Sequence, residues 1–209
     1  MCEQQYVFTS HICQYAFVKI DGKEMNRDLK QQLETFLRPY YQDLDGASRF
    51  DDVERIAKTA RRLYSPASAE DERAFELLLL FHRLGPWLEK VGHLSRTLLG
   101  VPGLTDAELR QTAASIRRLE APVTEAERAV AAAVLIDNAG VRGLTELFGR
   151  ARREGNSLMD VLRASLSDVE VPEWLPDGAE EWLYARRETR REVCRKLLEE
   201  LALEDQVSR

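Results

Sequence analysis

The chain has 209 residues, of which 44% are hydrophobic and 32% are charged, so it is long enough for one substantial domain with its own core. A formal net charge of −6 argues against nucleic acid or an anionic membrane as a partner. Apolar runs such as Leu77 to Phe81 are far too short to span a bilayer. With no signal-peptide pattern at the start and three cysteines that form no pair or disulfide framework, the sequence predicts a cytoplasmic protein.

Residues 1–24 differ in composition from the rest of the chain and are predicted to form a short N-terminal extension. Two segments, 6–9 and 15–20, are rich in aromatic and β-branched residues, and the turn dipeptide Asp21-Gly22 follows the second, which favours a β-hairpin. A helix over residues 10–19 is the alternative. Because a lone hairpin is marginally stable in water, we expect this extension to pack on the main body or against a second copy of the chain.

Residues 25–209 carry helical periodicity nearly throughout and are predicted to form one all-α bundle. The apolar steps predict helices near residues 26–44, 50–64, 69–84 and 179–204, with a shorter amphipathic segment around residues 144–148. The third helix is apolar nearly all round, which indicates a central, buried position. Capping boxes beginning at Thr105 and Thr124 predict two further helix starts, and Gly140 with Gly143 predicts a helix break with close packing.

The last predicted helix carries a basic run whose partners the sequence leaves open. Arg186-Arg187, Arg190-Arg191 and Arg195-Lys196 place like charges four residues apart on one helix flank. We interpret this flank as a solvated surface neutralised by neighbouring glutamates. The alternative is a nucleic-acid-binding patch, in which binding would fall steeply with salt.

Three short segments place polar residues at helix ends in a distinctive order. They are Phe50-Asp51-Asp52-Val53-Glu54-Arg55-Ile56, Phe81-His82-Arg83 and Leu135-Ile136-Asp137-Asn138-Ala139. In order and approximate spacing, this set resembles the three ligand-bearing helices of the HD superfamily of metal-dependent phosphohydrolases. The resemblance covers roughly residues 29–204 and implies an HD-type helical bundle, so we treat residues 25–209 as a degenerate HD-like helical domain.

The resemblance also shows where the motifs depart from the family pattern. Asp52 occupies the position of the first histidine ligand, with Arg55 continuing that motif. The histidine-aspartate pair that names the family is replaced by His82 and Arg83. The last aspartate ligand corresponds to Asp137, which is retained.

Arg83 decides how these remnants are interpreted. A guanidinium stays charged at physiological pH and cannot ligate a cation, so it would repel a metal or form a bidentate ion pair with Asp52 or Asp137. The candidate pocket of Asp52, Arg55, His82, Arg83 and Asp137 is then satisfied by its own charges. The sequence therefore predicts a catalytically inactive domain that needs no cofactor.

Two alternatives keep a ligand in this pocket. In the first, Asp52, His82 and Asp137 bind manganese, iron, zinc or nickel, and the protein is a metal-dependent phosphohydrolase acting on a nucleotide or another phosphoester. In the second, Arg55 and Arg83 bind a phosphate-bearing small molecule without metal.

The predicted role is therefore regulatory or structural and depends on protein contacts. We expect a protein partner or a homodimer, with a phosphate-bearing small molecule as a further ligand. The enzyme hypothesis instead predicts bound metal and phosphoester hydrolysis. Fold-level analogy does not identify the partner or the pathway.

Overall fold

The computed structural model describes residues 27–43, 50–84, 103–167 and 170–207, and in these ranges it contains eight α-helices and no strand. The helices are α1 (Arg27–Asp43), α2 (Phe50–Leu63), α3 (Ala69–Phe81), α4 (Asp106–Arg117), α5 (Glu125–Ala139), α6 (Val141–Glu154), α7 (Leu158–Ala164) and α8 (Ala179–Val207). The predicted all-α bundle is confirmed. The predicted N-terminal hairpin lies outside the described residues. Within the described ranges, every helix is too short or too polar to cross a membrane.

The two predicted capping boxes are present and begin α4 and α5. The Thr105 hydroxyl accepts a hydrogen bond from the Glu108 amide at 3.2 Å, and the Glu108 carboxylate accepts one from the Thr105 amide at 2.8 Å. Thr124 and Glu127 repeat this exchange at the start of α5. Each box satisfies amide donors that a helix start leaves without a partner, so the local sequence fixes both helix starts.

The core is centred on α3 and α5. All seven residues from Phe75 to Phe81 are buried, as the apolar run predicts. The helix α5 packs against α2, α3, α6 and α8, and its inward face is built largely from alanines, which lets these neighbours approach closely. Since Asp137 lies in the last turn of α5, this packing brings it near residues from several helices.

The break between α5 and α6 also lies where the glycines predict it. Gly140 ends α5, and a Cβ atom at Gly143 would stand 2.6 Å from the carbonyl carbon of Asn138. That separation is shorter than any ordinary carbon contact. Glycine at position 143 therefore allows the first turn of α6 to fold back against the end of α5.

The last helix differs from the prediction in which face it buries. Arg187 and Arg190 are 5% and 9% exposed, whereas the apolar residue Ala185 is exposed. The interpretation of the basic run as a solvated flank is therefore wrong at these two positions. The reason is tertiary: α5 and α6 cover the side of α8 that carries both arginines.

Candidate functional site

Arg55 of α2 and Asp137 of α5, which belong to the first and third HD-like segments, are in direct contact. Their contact is bidentate, with Nε of Arg55 2.5 Å from Oδ1 of Asp137 and Nη2 of Arg55 2.8 Å from Oδ2. Hydrogen bonding to Asp137 raises the pKa of Arg55, so this guanidinium stays charged. Both oxygens of Asp137 are thereby engaged by a cation from the same chain.

The second carboxylate, Asp52, is fully buried beside this pair. Its Oδ1 atom accepts a hydrogen bond from Nη2 of Arg55 at 3.1 Å and another from Nη2 of Arg142 in the first turn of α6. Its Oδ2 atom is buried without a hydrogen-bond partner. We call the residues Asp52, Arg55, Asp137 and Arg142 the ion-pair cluster; its two carboxylates balance its two guanidinium groups.

His82 lies next to the ion-pair cluster, immediately after the end of α3. Its Nδ1 atom is 2.7 Å from the carbonyl oxygen of Leu79, which can only accept, so Nδ1 donates and Nε2 carries the lone pair. Burial lowers the pKa of His82 to about 4, and Asp52 and Asp137 are near enough to act on it electrostatically. The imidazole is therefore neutral at pH 7, and among the described residues its buried Nε2 atom has no hydrogen-bond partner.

Arg83 points to a different carboxylate from those predicted for it. Its Nη1 atom lies 3.5 Å from Oε1 of Glu146 in α6. The bidentate partner of Asp137 is Arg55, three residues after Asp52 in the first motif. The structure therefore forms the predicted kind of pairing between motif residues, with a different arginine.

These residues do not fit a divalent cation in the arrangement observed. Within the described ranges, no three His, Cys, Asp or Glu side chains are placed to hold a metal ion. Nε2 of His82 and Oδ2 of Asp52 are open acceptors, but Asp137 is engaged by Arg55 at both oxygens. These two open acceptors could act as metal ligands, but catalytic zinc sites typically have three protein ligands. The adjacent guanidinium groups would also repel a cation.

A second polar site is built from other residues of α5 and α6 together with residues of α8. A cavity of about 260 Å³ opens between α5, α6 and α8. We call it the arginine cavity and define it by its polar lining: Asn138, Glu146, Arg150, Arg187 and Arg190. Arg150 is exposed, while Arg187 and Arg190 are buried. Its lining side chains thus supply three guanidinium groups and one carboxylate.

The sequence-predicted site residues are therefore only partly brought together. Asp52, Arg55 and Asp137 are in direct contact, and His82 lies beside them. Two participants, Arg142 and Glu146, were missed. Arg142 sits between the two glycines of the α5–α6 break, and its position five residues after Asp137 was the available signal.

Comparisons with known proteins define the fold but not the activity. No protein-family model and no curated protein sequence matches this chain. The structure is similar to the crystal structure of the Lin1889 protein from Listeria innocua, with a TM-score of 0.62 over 84% of this chain and 96% of that chain. The two sequences are 14% identical. At that identity the similarity shows a shared helical architecture and nothing about function.

Proposed function

We propose that this chain is a catalytically inactive HD-like domain with a regulatory or structural role, acting through protein contacts and without metal. The observation that carries the proposal is the bidentate contact of Arg55 with Asp137. It engages the one retained aspartate of the HD-like pattern, and Arg142 and Arg55 together hold Asp52. Buried charges paired in this way need no cation.

A metal-dependent phosphohydrolase is the second candidate, and one specific observation favours it. Nε2 of His82 and Oδ2 of Asp52 are both buried acceptors without a donor. A metal-binding histidine typically donates its other ring nitrogen to a carbonyl or carboxylate, as Nδ1 of His82 does to Leu79. For a third ligand, Asp137 would have to exchange its contact with Arg55 for one with the metal.

Elemental analysis of the purified protein separates the two candidates. The full chain is prepared without a chelating tag, beside His82→Asn/Asp137→Asn and, as a matched control, Asp160→Asn on the exposed surface of α7. Asparagine at position 82 keeps a donor for the Leu79 carbonyl. The metal-free proposal predicts no bound manganese, iron, zinc or nickel in any of the three proteins, even after manganese is added.

The opposite outcome is equally clear. Near-stoichiometric metal in the full chain and in Asp160→Asn, lost from the double variant, would overturn the metal-free proposal. It would justify a screen of phosphoester substrates, with hydrolysis expected to disappear in the double variant.

The protein-contact part of the proposal has its own test. We expect light scattering behind size exclusion to give a dimer mass for the full chain, and a smaller mass after deletion of residues 1–24. The physical reason is the aromatic and β-branched composition of that extension, which favours burial against another surface. A monomeric full chain would shift the search to a different protein partner, which affinity capture with the full chain and the deletion variant would compare.

A further inference from the structure

One of the two buried arginines of α8, Arg190, has no anionic partner among the described residues. It is 9% exposed, and within the described ranges its buried Nε atom has no hydrogen-bond partner. Its Nη1 atom lies 3.5 Å from the Asn138 carbonyl oxygen, at the outer limit of a hydrogen bond. A guanidinium has five N–H donors and stays charged, and the contact with Asn138 is the one hydrogen bond of Arg190 among the described residues.

This arrangement differs from the other buried charges of the molecule. Glu76 is 6% exposed but is held by Lys30 and Arg61, and Glu127 is 1% exposed but is held by Arg118. Buried charges are ordinarily paired, because removing an ion from water without compensation is costly. Arg190 is the exception among these, and it faces a cavity.

The surroundings of Arg190 would also attract an anion. Arg187 and Arg150 line the same cavity, and Glu146, its one acidic lining residue, is shared with Arg83. Arg187 has a further interaction of its own, so its charge attracts an anion electrostatically. Arg190 supplies the N–H groups that donate hydrogen bonds to the anion. The lining side chains together carry an excess of two positive charges, which matches a phosphate group of about −1.5 to −2 at pH 7.

We propose that the arginine cavity binds a small phosphate-bearing ligand, with Arg190 donating to its phosphate oxygens from inside and Arg150 closing on it from the cavity mouth. The cavity volume of about 260 Å³ lies just below the usual range of small-molecule sites, so the ligand is a phosphate, a diphosphate or a short phosphoester. The proposal goes beyond the proposed function and gives a site to the phosphate-bearing small molecule that the sequence predicts as a further ligand. That site lies away from Arg55, whose donors Asp137 and Asp52 occupy.

The test is calorimetric titration of the full chain with inorganic phosphate and inorganic diphosphate at constant ionic strength, supported by thermal unfolding in the same buffers. Acetate and citrate serve as carboxylate anions for comparison. The variants are Arg190→Met and Arg150→Met, and the matched control is Arg195→Met, which removes an exposed arginine from the same helix. Methionine keeps the length and apolar body of the side chain while removing the charge.

We expect the full chain to bind phosphate or diphosphate saturably and its unfolding temperature to rise in their presence. The affinity of Arg190→Met should be lower than that of the full chain by a factor of about ten or more. Arg150→Met should weaken binding by a smaller factor, because its side chain is exposed, and Arg195→Met should bind like the full chain. Arg150→Met also keeps the test valid if Arg190→Met folds poorly.

Three outcomes would overturn the proposal. Equal effects in all variants would mean general screening, and equal affinity for citrate would mean a carboxylate site. A concentration-dependent dimer that Arg190→Met dissociates would mean that a second copy supplies the anion. None of these outcomes depends on metal content, so a failure here is distinct from a failure of the metal-free proposal.

Discussion

The ion-pair cluster and the arginine cavity both combine arginines and carboxylates from the α5–α6 region, yet only one of them is neutral. In the ion-pair cluster, Arg55 and Arg142 meet Asp137 and Asp52, so opposite charges are supplied within the chain. In the arginine cavity, Arg190 is buried without a carboxylate contact. The difference teaches that a buried charge indicates a ligand only when the chain itself leaves that charge uncompensated.

The largest effect should come from breaking the ion-pair cluster. Arg55→Met removes the bidentate partner of Asp137 and one of the two hydrogen-bond donors to Asp52. Both carboxylates would then keep their negative charge with fewer hydrogen bonds and less compensating positive charge. We expect the free energy of unfolding to fall by about 3 kcal/mol, measured by urea denaturation. The control is Arg110→Met, which removes an exposed pair with Asp106 and should cost about 0.5 kcal/mol or less. Similar losses in the two variants would contradict a structural role for the cluster.

The close approach of α6 to α5 at Gly143 should be the next most sensitive position. Gly143→Ala places a Cβ atom against the Asn138 carbonyl, so we expect a loss of about 2 kcal/mol through a forced shift of α6. Gly149→Ala in the same helix makes only an ordinary contact with Arg153 and should gain about 0.5–1 kcal/mol. Chemical denaturation of both variants measures whether the free energy of unfolding falls in Gly143→Ala and rises in Gly149→Ala. A rise in both would show that α5 and α6 are farther apart than the structure places them.

The third prediction concerns pH and His82. Because the folded-state pKa of about 4 lies below the ordinary value of 6.5, the unfolded chain binds more protons between these values. Stability is therefore full above pH 7 and falls as pH drops through this window, by at most about 1.4 kcal/mol per pH unit. His82→Asn should flatten this part of the stability profile, measured by denaturation from pH 7 to pH 4.5. An unchanged slope in the variant would show that His82 is solvated.

The smallest effect on stability is expected for Arg190→Met, and it tests the difference between the arginine cavity and the ion-pair cluster most directly. Arg190→Met replaces a buried charge that has no carboxylate partner with an apolar side chain of similar length. In phosphate-free buffer we expect the free energy of unfolding to stay the same or rise by about 1 kcal/mol, measured beside Arg55→Met under identical conditions. A loss comparable with that of Arg55→Met would mean that both sites are structural.

Local features of the fold were predictable because their causes lie within a few residues of one another. The Thr105 and Thr124 capping boxes are four-residue patterns, and both form as predicted. The apolar run of α3 indicated a buried helix, and residues 75–81 are all buried. The helix break at Gly140 and Gly143 followed from glycine alone. The HD-like pattern itself stays a prediction, since the shared architecture with a 14% identical protein does not test the family.

The sequence by itself determined the starts of α4 and α5, the break at Gly140 and Gly143, and an all-α bundle, whereas α7 was not predicted. The HD-like resemblance grouped Asp52, Arg55 and Asp137. Tertiary structure decided which charges pair. Arg55 and Asp137 are separated by 82 positions and Arg142 and Asp52 by 90, so no local periodicity encodes these contacts. It also decided that Arg187 and Arg190 are buried, because the side of α8 that faces solvent depends on where α5 and α6 pack. Interactions between residues close in sequence decide where a helix starts or breaks. Burial and charge compensation arise only when helices that are distant in sequence pack together.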